Sequence, residues 1–445
     1  MDPYFGYEIA IALIGLYGLI LYLLYRAGRI GPERSLSLFG PALMTKTQRG
    51  RSLLDRWGRF SRFWSVIGDL GVTLAAIAMA VIVALLILGA ITSLRLSPSQ
   101  APTPQEALGL PGINPIIPLG YGIVALVVGI VLHELMHGVI ARSQKIGVKS
   151  LGILWFVIPI GAFVEQDDAE MQAASRRRRD RVAAAGVLAN FALTVVFFVA
   201  LSGLIASSVA PNANGVGIAY VESGTPAANV SLAAGDIITA IGTAPTPTTN
   251  LFDAALANST PHETVTVTYY SASLGHSVTT SVVLATNPNN SSRGFLGVAV
   301  YALTPSEIRG ILIWPPGSDA GPVTGTLDWL VLPLAGIEPV SGTPASYFHL
   351  TGVMAHVSPS AFWIGANLLY WLAWMNLLLG LSNALPLFPL DGGLLFRDFA
   401  ASLAARVKRG WTAAHLDEFG GRAAAVSSVL VLLLLLWQFI VPRLL

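Results

Sequence analysis

The sequence predicts a multi-span α-helical membrane protein, with about six transmembrane helices and a small inserted β-rich domain. Two observations carry this prediction. The 445 residues are 54% hydrophobic and only 11% charged, and the apolar residues are collected in long runs. Soluble domains carry about 25% charged residues. Cysteine is absent, so a metal ion would have to be held by His, Asp or Glu.

Six runs are long and apolar enough to cross a hydrocarbon layer of about 30 Å. They are residues 9–25, 65–94, 118–141, 182–208, 361–385 and 423–441. Of the 26 Lys and Arg residues, 22 lie in three alternate loops, 26–62, 142–181 and 392–422. Cytoplasmic loops are enriched in these residues. We therefore predict a multi-pass protein of the cell membrane whose termini and residues 209–360 are extracytoplasmic.

The run Arg176 to Arg179 precedes the fourth predicted span. Its position favours an orientation anchor over a nucleic-acid patch, so no nucleic-acid partner is expected.

Residues 212–300 lose the long apolar runs and gain Gly, Thr, Ser and Asn, with alternating stretches such as VTVTYY. This pattern predicts a soluble, strand-rich domain. Within it, residues 215–242 (GVGIAYVESGTPAANVSLAAGDIITAIG) resemble the PDZ domains of membrane proteases, which bind an extended peptide at a sheet edge. A generic β domain used as a spacer is the alternative.

The stretch VLHELMHGVI, residues 131–140, places three ionisable groups inside the third span. His133 and His137 are four residues apart, so they project from the same side of a helix and can share a metal ion. Glu134 projects about 100° further round, where it can act as a general base. Ionisable groups inside a span favour a functional site. The alternative is a buried His–Glu pair that stabilises helix packing.

A catalytic zinc ion usually has three protein ligands. Ile140 stands at the third position after His137, so the extended three-histidine pattern is absent, and Glu165 is predicted to be solvated at the cytoplasmic edge. The best remaining carboxylate is Asp391, in NALPLFPLDGG (383–393). It follows the fifth span at the membrane face where the third span also ends. An ordinary Asp-Gly turn is the alternative.

Together these elements resemble the site-2 protease family of intramembrane zinc metalloproteases. The matching motifs, in chain order, are HELMH (133–137), GAFV (161–164), AAGVLANF (184–191), the PDZ-like segment and NALPLFPLDGG (383–393). The resemblance covers roughly residues 118–395. It implies a zinc endopeptidase that cuts transmembrane segments of membrane proteins through a zinc-activated water, with one Zn²⁺ per chain.

The resemblance also implies individual roles. His133, His137 and Asp391 would bind zinc, Glu134 would be the catalytic base, and Asn383 would contact substrate backbone or the developing oxyanion.

The implied substrate-binding residues are Gly161, Ala162, Phe163, Val164 and Asn190. The first four would form an edge strand that pairs with the substrate. Gly186 matches a small-residue position of the family, whereas Val187 stands where Pro is usual. That departure leaves open where the local helix begins.

The implied partners are a transmembrane substrate already cut outside the membrane, a peptide at the PDZ-like domain, and the lipid bilayer. The active site would lie near the cytoplasmic face. Two other classes of function stay open. One is a membrane-tethered PDZ scaffold or adaptor with a non-catalytic metal site, and the other is a zinc transporter.

We predict five segments along the chain. Residues 1–117 contain the N-terminal spans, a basic cytoplasmic loop and an outside loop, and residues 118–208 contain the catalytic spans and a re-entrant hairpin at 148–164. Residues 209–300 form the PDZ-like domain. Residues 301–360 are a linker whose apolar piece 329–337 can lie on or in the membrane, and residues 361–445 contain the C-terminal spans and the LDG motif.

Overall fold

The computed structural model describes residues 5–31, 34–107, 109–315, 321–333 and 342–444. Its helices are α1 (Phe5–Arg26), α2 (Arg51–Gly58), α3 (Ser61–Thr92), α4 (Pro104–Ala107), α5 (Leu119–Ser143), α6 (Asp168–Ala173), α7 (Arg176–Ser208), α8 (Pro226–Asn229), α9 (Thr249–Ala257), α10 (Pro305–Ile311), α11 (Pro322–Val331), α12 (Pro359–Asn383), α13 (Asp391–Val407) and α14 (Ala413–Leu444).

Its strands are β1 (Leu36–Phe39), β2 (Ala42–Thr47), β3 (Val148–Phe156), β4 (Ile158–Gln166), β5 (Val209–Pro211), β6 (Val216–Val221), β7 (Ile237–Ile241), β8 (Ala244–Pro245), β9 (Thr264–Ser271), β10 (His276–Val283), β11 (Ala285–Asn287), β12 (Asn290–Phe295), β13 (Val298–Val300) and β14 (Phe348–Leu350).

Within the described ranges, five helices are long and apolar enough to cross a membrane. They are α5, α7, α12, α14 and α3 with the turn that follows it, and they coincide with five of the six predicted spans. The first predicted span, 9–25, falls in α1, and the apolar helical stretch Ala12–Arg26 covers most of it. The chain therefore has the helices of a multi-pass membrane protein.

The chain divides into two compact units. The first comprises Met1–Pro115, Gly122–Thr194 and Met375–Leu445, and the second comprises Ile116–Tyr121 and Val195–Trp374. The HELMH and LDG motifs both belong to the first unit.

The first unit contains a four-stranded antiparallel sheet in the order β1-β2-β3-β4. The predicted hairpin at 148–164 is present as β3 and β4, and its depth in a membrane stays a prediction. Strands β1 and β2 come from the basic loop 26–62, for which no strands were predicted. They pair Phe39 with Ala42 around the two-residue turn Gly40-Pro41, where Gly40 has a φ of 56°.

Helix α7 begins at Arg176, six residues before the predicted span, so the arginine run is helical. Arg177 and Arg181 both bind Asp69 of α3 through paired N–H···O bonds. Arg177 of this run and the nearby Arg181 therefore join α7 to α3. The role of the run as an orientation anchor stays a prediction. Val187 is fully buried within α7, which shows that the helix does not begin there.

The second unit is rich in strands, as predicted for 212–300. Its main sheet has the order β10-β9-β7-β6-β13, with β8 paired to β7, around a core that includes Ile218, Ile238 and Val267. The PDZ-like segment 215–242 contains β6, the short helix α8 and β7. The assignment of this domain to the PDZ class stays a prediction.

The predicted linker 301–360 contains α10, α11 and β14, and β14 pairs with β5. Of the predicted apolar piece 329–337, residues 334–337 lie outside the described ranges.

Candidate metal centre

Helix α5 brings the two histidines of HELMH together. His133 and His137 are 7% and 6% exposed, and their Nε2 atoms are 3.1 Å apart. The i, i+4 spacing gives both rings the same side of the helix, as the sequence predicts.

Asp391 supplies the third group. It is the first residue of α13, and its Oδ2 lies 3.2 Å from Nε2 of His133 and 3.2 Å from Nε2 of His137. The glycine after it permits this position, because a Cβ at Gly392 would overlap the carbonyl oxygens of Ala384 and Leu385. The LDGG sequence therefore folds back on the end of α12 in a way that larger residues would prevent.

The three donor atoms fit a metal ion. Two Nε2 atoms and one carboxylate oxygen with mutual separations of 3.1–3.2 Å can all lie about 2 Å from one point, which is the bond length zinc prefers. Asp391 Oδ2 is also a buried oxygen without a hydrogen-bond donor.

A hydrogen bond at Nδ1, the nitrogen that faces away from Asp391, fixes the orientation of the His137 ring. His137 Nδ1 is 2.7 Å from the carbonyl oxygen of Val182 in α7. A carbonyl can only accept, so Nδ1 carries the hydrogen, and the neutral ring then directs the Nε2 lone pair towards Asp391 and His133. Electron pairs that converge in this way are stabilised by a cation.

Asn190 lies behind the other histidine. Its side-chain nitrogen is 3.1 Å from His133 Nδ1, and the residue is fully buried. An imidazole that offers Nε2 to a metal donates from Nδ1, and a half-turn of the amide places the Asn190 oxygen there as acceptor. In this structure Asn190 contacts the candidate ligand ring, which it is placed to orient, and it has no open surface. Its contact with a substrate stays a prediction.

Gly186 lets α7 approach the two imidazoles. A Cβ at this position would overlap Cε1 and Nε2 of His133 and Nε2 of His137. Any side chain at 186 would therefore fill the space between the donor atoms. The resemblance to the site-2 protease family marks residue 186 as a small-residue position, and the structure gives the reason.

Glu134 is held beside the three donor atoms by the neighbouring sheet. Its Oε2 accepts a hydrogen bond of 3.1 Å from the backbone N–H of Val164 in β4. Glu134, His137, Val164 and Asp391 line one cavity of about 750 Å³. The Glu134 carboxylate, two of the candidate ligands and strand β4 therefore all border this cavity.

Strand β4 is an edge of its sheet among the described residues, since only β3 pairs with it. It contains all four residues of GAFV, namely Gly161, Ala162, Phe163 and Val164. The Val164 N–H points away from β3, towards Glu134. Ala162 lies two residues earlier in regular register, so its peptide groups face the open edge as well. Pairing of this edge with a substrate stays a prediction.

The far wall of the cavity is charged. Asp398, 2% exposed, accepts hydrogen bonds of 2.9 Å from Arg179 and 3.0 Å from Arg397. These paired charges make this part of the cavity lining polar.

Two other predicted residues lie elsewhere in the first unit. Asn383 is the last residue of α12, and its side-chain N–H donates to the carbonyl of Leu379 in the same helix at 3.0 Å. Its proposed contact with a substrate stays a prediction. Glu165 is partly buried rather than solvated, because it pairs with Lys46 at 3.2 Å and accepts from Ser150 at 2.5 Å.

A His–His–Asp set beside a glutamate, with both histidines buried on a helix long enough to cross a membrane, is the arrangement of a membrane metallopeptidase. The chain belongs to Peptidase family M50, the site-2 protease family, whose model matches residues 121–416, about two thirds of the chain. It is also similar to an uncharacterized protein of Methanocaldococcus jannaschii, with 35% identity over 149 residues. That match covers 33% of this chain and 39% of the relative.

Proposed function

We propose that this protein is a zinc endopeptidase that cuts transmembrane segments of other membrane proteins. The observation that carries the proposal is the convergence of His133, His137 and Asp391 next to Glu134 and the open edge of β4. Membership of the M50 family supports the peptidase activity.

The ligand set is His133, His137 and Asp391, two neutral imidazoles and a carboxylate, which suits zinc. When bound, zinc lowers the pKa of a water ligand to about 7 and polarises a carbonyl oxygen. Asn190 and the Val182 carbonyl keep the two rings in the required orientation.

Glu134 acts as the general base and then as the general acid. Its carboxylate accepts the proton of the attacking water and delivers it to the nitrogen of the leaving amine. The Val164 N–H fixes the position of this carboxylate within the cavity. A carboxylate held in place by a single backbone donor keeps its second oxygen available for the proton.

The substrate binds as an extended strand. A helical substrate hides its carbonyls in hydrogen bonds to residue i+4, so it must unwind before hydrolysis. The outward peptide groups of β4, including those of Ala162, provide hydrogen-bond partners for the unwound segment. Asn383 then contacts the substrate backbone or the developing oxyanion from the end of α12.

The proposal also includes the predicted orientation. The basic loops are cytoplasmic, the active site lies near that face, and the β-rich domain lies outside as a PDZ-like reader of substrates already shortened there. Its open sheet edge accepts an extended peptide.

The test uses the purified full-length chain and a single-span model substrate in liposomes. We expect cleavage within the apolar segment, mapped by mass spectrometry of the products. We also expect 1,10-phenanthroline to abolish it and added Zn²⁺ to restore it. A chain that retains zinc but cuts none of a panel of single-span substrates would contradict the proposal and favour a membrane scaffold with a non-catalytic metal site.

A further inference from the structure

A second cavity lies against the β1–β4 sheet and shares no lining residue with the cavity at the metal centre. Its volume is about 960 Å³, and none of its lining residues belongs to the His–His–Asp set. Six basic side chains line it: Arg34, Lys46, Arg49, Arg51, Arg142 and Lys149.

The acidic groups at this cavity are already engaged. Glu165 binds Lys46 at 3.2 Å, Glu170 accepts from the Gly147 N–H at 2.6 Å, and Asp167 caps α6 by accepting from the Glu170 N–H. None of the three carboxylates pairs with Arg34, Arg49 or Arg51 in the described part of the chain, and the lining has six cationic side chains against these three anionic ones.

Three of the six cations pair with carboxylates, namely Lys46, Lys149 and Arg142. Within the part of the chain that the structure describes, Arg34, Arg49 and Arg51 form no ion pair. The cavity thus carries an excess of guanidinium groups, which bind phosphate oxygens through paired N–H donors.

The cavity lies next to the end of one candidate span and close to the start of another. Arg142 is the last residue but one of α5, a candidate span, and its pairing with Asp55 joins α2 to that end. Helix α2 ends at Gly58, and the next candidate span begins at Ser61. Both spans therefore reach the membrane surface beside this cavity.

Helix α2 has the character of an interfacial helix. Leu54 is buried in the protein core, at 2% exposure, while Leu53 and Trp57 are 47% and 52% exposed on another side. Trp and basic residues around an exposed apolar face are typical of helices that lie in the headgroup region. Its first residue, Arg51, lines the cavity.

We propose that this cavity binds the phosphate of an anionic phospholipid, held by Arg34, Arg49 and Arg51. The enrichment of cytoplasmic loops in basic residues accounts for the number of arginines in 26–62. It does not account for three of them around one cavity whose acidic groups are all engaged. A lipid that touches both α2 and the end of α5 would anchor the sheet that carries β4 to the bilayer.

The test is a titration of the detergent-solubilised full chain with dioctanoyl phosphatidylglycerol or dioctanoyl phosphatidylcholine, with bound lipid counted by native mass spectrometry. We expect the wild type to prefer phosphatidylglycerol. We expect Arg34→Gln/Arg49→Gln/Arg51→Gln to bind it at least about tenfold more weakly. The matched control is Arg29→Gln/Arg56→Gln/Arg62→Gln, which removes the same charge from the same basic loop but from residues outside the cavity lining.

Three outcomes would overturn the proposal. The first is equal weakening by the two triple variants, which would indicate general attraction to charge. The second is competition by glycerol 3-phosphate at concentrations equal to the lipid, which would indicate a site for soluble phosphates. The third is equal affinity of the wild type for both lipids, a result that does not depend on the folding of any variant. None of these outcomes bears on peptidase activity.

Discussion

Replacement of Glu134 by glutamine is expected to abolish cleavage while the chain keeps its metal. The glutamine side chain would fill the same volume, and its amide oxygen can still accept from the Val164 N–H. It cannot accept and return a proton, and this step contributes at least about a hundredfold to the rate. The measurement is the rate of cleavage of the single-span substrate, together with the zinc content of the same sample.

The matched control for this variant is Glu418→Gln. Glu418 lies on the exposed surface of α14, where it pairs with Arg422 four residues later. An exposed pair of this kind contributes little to stability, so this variant should cut at the wild-type rate. Retention of cleavage by Glu134→Gln would show that another group moves the proton. Loss of zinc from it would show that Glu134 is itself a ligand.

Replacement of Gly186 by alanine is expected to remove the metal. The added methyl group would overlap the Nε2 atoms of both His133 and His137, and neither ring can retreat without losing its outer contact to Asn190 or Val182. Disturbing such outer contacts alone costs about 10- to 100-fold in metal affinity. We expect Gly186→Ala to hold much less zinc than the wild type, and cleavage to fall by at least about tenfold.

The control variant is Gly203→Ala in the same helix. A Cβ at Gly203 would meet no atom within 4 Å, and alanine favours helix, so this variant should keep its zinc and its activity. If Gly186→Ala binds zinc as tightly as Gly203→Ala does, the close approach of α7 is not what shapes the metal centre.

The part of the site that follows helical periodicity could be predicted from the sequence. His133 and His137 face one side because i and i+4 are neighbours on any helix, whatever surrounds them. Asp391 could be chosen because both spans end at the same membrane face and no nearer carboxylate suits a ligand. These three side chains do converge in the structure.

The contacts that hold the site in place depend on tertiary packing, and for that reason the sequence did not reveal them. The placement of Asn190 against His133 requires the relative rotation of α5 and α7, which no local pattern encodes. The bond from Val164 to Glu134 depends on which way one backbone N–H of β4 points. Strands β1 and β2 are short, and their sequence LSLFGPALMTKT lies in a loop dominated by basic residues, so only pairing with β3 makes them strands.

The most direct test of the metal centre is the zinc content and cleavage activity of Asp391→Asn, measured on one purified sample beside the wild type. Asparagine keeps the shape of the side chain but removes the charge of the third ligand. We predict about one zinc ion per chain and cleavage for the wild type, and loss of both in Asp391→Asn. If Asp391→Asn keeps wild-type zinc content and cuts the single-span substrate at the wild-type rate, then His133, His137 and Asp391 do not form the catalytic metal site.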